Sequence, residues 1–201
     1  MKRELLIALR TAVVTLVLTG LLYPLAMTGV AQALFTDKAN GSLLEDAAGN
    51  VVGSSLIGQG FKNPGYLQSR PSAAGADGWD AGASGGSNLG PTSQKLHDRV
   101  AADVTRLQSE NPDAKGAVPA ELVTTSASGL DPHVSPAAAL WQAPRIARAR
   151  GLSAERVETV IQAHVKGRDL GFLGEPTVNV LRVNLALDRQ FGAPSRTLEA
   201  R

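Results

Sequence analysis

Ser84 stands at the centre of Gly82-Ala83-Ser84-Gly85-Gly86, and Asp131 and His133 follow it along the chain. The spacing matches the G-x-S-x-G nucleophile elbow, and serine, acid, histidine is the order of a hydrolase triad. An elbow works only on a sharp turn between a strand and a helix, which exposes the serine. Here Gly78-Trp79-Asp80-Ala81 comes first, and it is no buried strand. Asp131 and His133 flank Pro132, a poor arrangement for a carboxylate that must orient an imidazole across a fold. In a glycine-rich stretch the pattern reads as a structural loop, and no catalytic residue is assigned. The same glycines let backbone N–H groups point at an anion such as phosphate. However, the chain has no G-x-x-x-x-G-K-[ST], and no lysine follows the loop closely enough to serve. A stand-alone nucleotide-hydrolysing site is not expected.

The three histidines are His97, His133 and His164, and cysteine is absent. A zinc site would need those histidines to converge with carboxylates. His97 falls among charged residues and reads as solvated. His133, inside Gly129-Leu130-Asp131-Pro132-His133, reads as part of a tight turn, and His164 as a packing residue, so no metal ligand is assigned. Arg145, Arg148, Arg150 and Arg156 form a basic stretch. It reads as a solvated helix face, with docking onto an acidic partner as the sharper alternative.

The elements that must position these residues begin with an uncharged run from Thr11 to Phe35, preceded by Lys2, Arg3 and Arg10. As a helix at about 1.5 Å per residue it reaches roughly 37 Å, and a bilayer core needs only about 30 Å. Ala31-Gln32-Ala33 resembles a signal cleavage site, but a signal's apolar region is shorter, about 7–15 residues. A retained anchor is expected, with Pro24 tolerated inside it. Gly29 with Ala33, and Thr15 with Thr19, give small-residue faces for helix association. The basic N-terminus favours the cytoplasm. The expected organisation is residues 1–10 cytoplasmic, 11–35 transmembrane, and 36–201 a single mixed α/β extracytoplasmic domain of α+β class.

Formal net charge is +2. Lys2, Arg3 and Arg10 against Glu4 account for all of it, so the remainder is balanced. That excludes a nucleic-acid footprint on the folded part. Without cysteine there are no disulfides and no thiol chemistry, and the domain is large enough to build its own core.

Residues 36–41 read as an exit linker. Ser42–Leu44 and Val51–Ile57 flank Asp46-Ala47-Ala48-Gly49-Asn50, a hairpin pattern, and Tyr66–Ser69 is a candidate strand. Ala73 to Gly90 has the composition of a linker but holds Trp79 and Leu89, and is expected to be an ordered functional loop. A helix starts near Thr92 or Ser93, presents Leu96, Val100, Val104 and Leu107 on one face, and stops at Asn111-Pro112. Ser135-Pro136 opens a second helix, interrupted by Pro144 and closed by Gly151. Ser153 caps a third, with Val157, Val160 and Ile161 inward. Val178–Leu187 is apolar on nearly all sides and is read as helix with Asn179 near its start.

Several motifs occur in fixed order: Gly53-Ser54-Ser55-Leu56-Ile57-Gly58-Gln59, Arg70-Pro71-Ser72-Ala73-Ala74-Gly75, Ser84-Gly85-Gly86-Ser87-Asn88-Leu89-Gly90-Pro91-Thr92, and Ser128-Gly129-Leu130-Asp131-Pro132-His133. Ala149-Arg150-Gly151-Leu152, Leu173-Gly174-Glu175-Pro176, Val178-Asn179-Val180-Leu181 and Asn184-Leu185-Ala186-Leu187-Asp188 follow. Together, from the anchor to about Asp188, they resemble the C subunit family of the bacterial Kdp potassium-transporting ATPase. Ala127, Trp79 and Thr92-Ser93-Gln94 depart from the family pattern in loop detail.

The resemblance implies a single-pass inner-membrane subunit in contact with lipid, its C-terminal domain periplasmic. It implies assembly with a channel-like potassium-binding subunit (KdpA), a P-type ATPase subunit (KdpB) and a small stabilising subunit (KdpF). It further implies a catalytic chaperone that raises the ATP affinity of the P-type subunit, with no cofactor bound independently and ATP met only together with that subunit. On that reading nucleotide or partner contacts fall on Ser84, Gly85, Gly86, Asn88 and Gln142. The alternative function is a membrane-tethered periplasmic enzyme or nucleotide-binding module built on loop 82–90.

Overall fold

The computed structural model describes residues 1–194. The chain divides into two compact units after Leu43.

The first unit is dominated by a helix of 33 residues, Lys2–Leu34, about 50 Å long and long and apolar enough to cross a membrane. Its regular parts are α1 (Lys2–Val17) and α2 (Tyr23–Leu34), joined by a π-helical turn over Leu18–Leu22. Pro24 explains that turn. Proline has no N–H to bond four residues back, and its ring crowds that carbonyl. The widened turn absorbs the misfit, with Tyr23 N–H bonded to the Leu18 carbonyl. The helix begins nine residues before the apolar run, because Leu5, Leu6, Ala8 and Leu9 are good helix formers and the charges among them do not interrupt it. The expected linker after Phe35 is instead a helical turn, α3 (Thr36–Ala39), with the Thr36 hydroxyl donating to the Gln32 carbonyl at 2.6 Å.

After it, β1 (Leu43–Glu45) pairs with β2 (Val51–Ser54) around the expected turn. Asp46 organises the turn by accepting from the N–H groups of Ala48 and Asn50 at 2.8 and 2.9 Å. The second unit is built on α4 (Gln94–Glu110), α5 (Pro136–Trp141), α6 (Ala143–Arg150), α7 (Ala154–Ala163) and α8 (Val180–Phe191). A three-stranded antiparallel sheet joins them, formed by β3 (His133–Val134), β4 (Val165–Lys166) and β5 (Thr177–Asn179) in the order β3-β5-β4. Val178 pairs with Val134 on one side and Val165 on the other. The core gathers Leu67, Ile146, Val157, Ile161, Val178, Val183 and Leu187, all fully buried. The fold is mixed α/β, as the sequence predicts.

Most helix ends fall where the cap residues place them. Ser93 accepts from Leu96 N–H, Ser135 accepts from Ala138 N–H, and Gly151 closes α6 in the left-handed region at φ 65°. Ser153 occupies the first cap of α7 without a side-chain cap bond. Two expectations change. Val178 and Asn179 are strand, and the helix starts only at Val180, because Asn179 leaves the sheet as the cap, accepting from Arg182 N–H at 3.1 Å. Tyr66–Ser69 is not a strand, because Leu67 and Gln68 pair their backbone groups with side chains and not with a neighbouring strand.

Candidate functional site

Two buried amides take the place of a strand along 66–69. Asn184 accepts from Leu67 N–H at 2.8 Å and donates to the Leu67 carbonyl at 2.9 Å. Gln142 does the same for Gln68, at 2.9 and 3.1 Å. Arg145 is 2% exposed and donates to the carbonyls of Pro64 (2.6 Å) and Tyr66 (3.1 Å) and to Gln142 Oε1 (2.8 Å). Burial pushes its guanidinium down to about 10, still charged at neutral pH. The Arg150 guanidinium donates to the carbonyls of Gly65 and Gly192 and pairs with Asp188 at 2.8 Å.

The Tyr66 hydroxyl donates to the other Asp188 oxygen at 2.8 Å. Burial first, and Asp188 second, push its pKa up to about 12. Arg145 and Arg150 are therefore internal pins, which overturns the solvated-face reading for these two. Arg148 does lie at the surface against Asp113, and Arg156 stacks over the Phe191 ring at 4.6 Å. Sequence reasoning missed this clamp. Its legible sign was Asn184, an amide set among Val183, Leu185, Ala186 and Leu187.

The clamped segment leads into the glycine-rich loop. Ser72 Oγ accepts from the N–H groups of Ala74 (3.1 Å) and Trp79 (2.7 Å), and Asp80 accepts from Gly82 N–H at 2.8 Å. The loop is joined to the segment 124–131 by Gly85 N–H and Ser84 Oγ, both donating to the Ser128 carbonyl at 2.9 and 3.0 Å. Gly129, at φ 67°, makes the approach possible. A Cβ there would lie 2.7 Å from Ala74 N and from Gly85 O. Arg70 donates to the carbonyls of Thr124 and Thr125 and reaches Asp131 at 3.5 Å. Asp131 also accepts from His133 N–H at 2.9 Å. His133 foremost, then Arg70, hold its carboxyl below the usual range.

Ser84 thus spends its hydroxyl on Ser128, and Asp131 serves a turn, Arg70 and the His133 ring, whose Nδ1 lies 3.6 Å away while its Nε2 lies 3.5 Å from Asn179 Nδ2. This is a loop junction and not a triad. His97 is exposed on α4, His133 opens β3, and His164 Nδ1 lies 2.8 Å from the Val160 carbonyl.

Of the five residues singled out from the sequence, Ser84, Gly85 and Gly86 lie at this junction, and Asn88 follows in the same loop, exposed and at φ 52°. Gly86 and Ser87 line a cleft of about 460 Å³ with Asp77, Lys95 and Arg99. Gln142 is 1% exposed with both amide atoms bonded, and it borders a different cleft of about 380 Å³ beside Phe61, Trp79 and Arg106. The structure does not bring it to the glycine-rich loop.

A second feature went unread in the sequence, the connection from β4 to β5. Asp169 and Leu173 exchange both backbone hydrogen bonds at 2.9 Å. Lys166 pairs with Asp169, and Arg168 with Glu175, each at 2.8 Å. The ordered apex presents Leu170, Phe172 and Leu173 to solvent at 82, 69 and 50% exposure. Leu170 sits at φ 55°, a conformation that leucine adopts at a cost.

Comparison with known proteins adds the family. Residues 5–189 match the model of KdpC, described as K+-transporting ATPase, c chain. A potassium-transporting ATPase KdpC subunit of Myxococcus xanthus is 68% identical over 93% of this chain and 88% of its own length. Proteins of the same name from Koribacter versatilis and Rhodospirillum rubrum are 54% and 56% identical. Those two matches cover 94% and 87% of this chain, and 95% and 89% of the relatives.

Proposed function

The chain belongs to the KdpC family, the c chain of K+-transporting ATPases, and from that premise we propose that it is a non-catalytic accessory subunit of an ATP-driven potassium uptake complex. Helix Lys2–Leu34 is its membrane anchor. The basic residues ahead of the apolar run favour a cytoplasmic N-terminus and a domain outside. The partners are a channel-like potassium-binding subunit, a P-type ATPase subunit and a small stabilising subunit. Potassium is ligated by the channel-like subunit through backbone carbonyls. Any effect on ATP affinity is exerted through the P-type subunit, with loop residues Ser84, Gly85, Gly86 and Asn88 as partner contacts. Gln142 acts only indirectly, by holding the segment that leads to them.

The apex of the β4–β5 connection carries this reading. Three large apolar side chains held in solvent by an ordered backbone mark an interaction site more than a packing fault. Their flanking charges are already paired with one another, so the apex suits an uncharged, apolar protein surface.

Topology and association test the proposal together. With a tag after Arg201, protease should remove it from spheroplasts, and gentle detergent should recover the other transport subunits with the chain. A tag protected inside the cell would overturn the orientation. A chain recovered alone would overturn the accessory role.

A further inference from the structure

The Thr19 carbonyl finds no donor in its own helix. An N–H four or five residues further on would serve it, which means residue 23 or 24. The Tyr23 N–H is bonded to the Leu18 carbonyl instead, and Pro24 has no N–H. Hydroxyl side chains meet such carbonyls in many membrane helices, but the Thr19 hydroxyl donates to the Thr15 carbonyl at 2.8 Å. Among the described residues no side chain donates to the Thr19 carbonyl oxygen.

As part of a membrane anchor this oxygen lies deep. At about 1.5 Å per residue it stands roughly 12 Å from the start of the uncharged run at Thr11 and roughly 24 Å from its end at Phe35. Hydrocarbon at that depth offers no donor in exchange for the missing one, so a bare carbonyl there is costly. Access to it is open. The same peptide unit ends in Gly20, where a Cβ would meet only Leu16 Cδ1, at 3.4 Å. Thr19 and Gly20 are both exposed, so a second helix can come close at this point.

We infer that the π-helical turn is a docking point for a membrane-spanning helix of another transport subunit, which donates a hydrogen bond from a hydroxyl or amide side chain to the Thr19 carbonyl. The donor is uncharged, because the run from Thr11 to Phe35 holds no charge to balance an ionised one. This contact rests on the accessory-subunit reading of the chain. It is separate from the β4–β5 apex, which belongs to the other unit.

Only Thr19-Gly20 and Thr28-Gly29 join threonine to glycine in this chain. Carbon-13 at threonine carbonyls and nitrogen-15 at glycine therefore isolate two carbonyls by magic-angle-spinning NMR in lipid, and Thr28→Ser assigns them. Thr28, inside regular α2, is the internal reference. In the lone chain the Thr19 carbonyl should resonate upfield of Thr28, and in the native complex it should move downfield toward it. An unmoved Thr19 signal in the complex overturns the contact. A signal that moves in the lone chain as protein per lipid is raised makes a second copy the donor, and the assignment to another subunit falls. Pro24→Ala restores an N–H and lets the turn close as ordinary helix. A several-fold drop in recovery of partner subunits then reports the lost acceptor, because the helix itself is improved. Gly20→Leu keeps Pro24 but screens the carbonyl, and should lower recovery several-fold as well. Normal recovery in both variants overturns the contact. If the native chain recovers no partner, the accessory reading fails and takes this contact with it, whereas normal native recovery with an unmoved carbonyl removes the contact alone.

Discussion

Asn184 illustrates how one side chain can replace a strand. Its amide meets both the N–H and the carbonyl of Leu67 in a fully buried place. Asn184→Ala would leave both groups unpaired, and a buried unpaired group costs about 1–3 kcal/mol. A loss of roughly 2–4 kcal/mol is expected in urea unfolding of the full chain in detergent, and a change below about 0.5 kcal/mol would contradict the clamp. Tyr66 makes a second prediction at this scale. Its folded pKa, about 12, lies above its ordinary value near 10. The protonated phenol is therefore favoured in the folded state. Its contribution to stability is complete below about pH 10 and is lost as the pH rises through about 12. In a Tyr23→Phe background, tyrosinate absorbance should report this late titration, and Asp188→Asn should move it back toward 10.

Among the elements, the two loops meeting at Gly129 depend on a backbone approach that no side chain allows. Gly129→Ala should weaken the junction and expose the stretch from Ala73 to Gly90 to protease, while the helical signal of the chain stays unchanged. Helix α5 depends on Ser135, which caps Ala138 and also bonds Glu121. Ser135→Ala should cost about 1 kcal/mol or somewhat more. The β4–β5 apex separates function from folding. Leu170→Gly relieves an unfavourable φ, so stability should change by less than about 1 kcal/mol. Phe172→Asp alters a side chain that is 69% exposed and should be equally mild in stability. Both should reduce recovery of partner subunits. Normal recovery in both would remove the apex from the interface.

For the whole molecule, the long helix and the domain fall in two compact units, so replacing the anchor should be felt in association before it is felt in domain stability. Exchange of Lys2–Leu34 for an unrelated apolar helix is expected to keep the unfolding midpoint of the domain. It should also lower recovery of partners, if the faces around Gly29 and Thr15 are used. Unchanged recovery would assign association to the domain alone.

The sequence by itself determined whatever depends on neighbours along the chain. The long apolar helix follows from composition, the cap residues Ser93, Ser135 and Gly151 from their local hydrogen bonds and φ, and the Asp46 turn from a side chain reaching its own backbone. The family was legible too, because its motifs lie in fixed order. Tertiary structure alone decided the rest. It placed Arg145 and Arg150 inside, because the carbonyls they serve at Pro64, Tyr66 and Gly65 lie some eighty residues away in the chain. It made Val178 a strand and Val180 a helix, because a buried apolar run has no period to read until its partners, Val134 and Val165, are beside it.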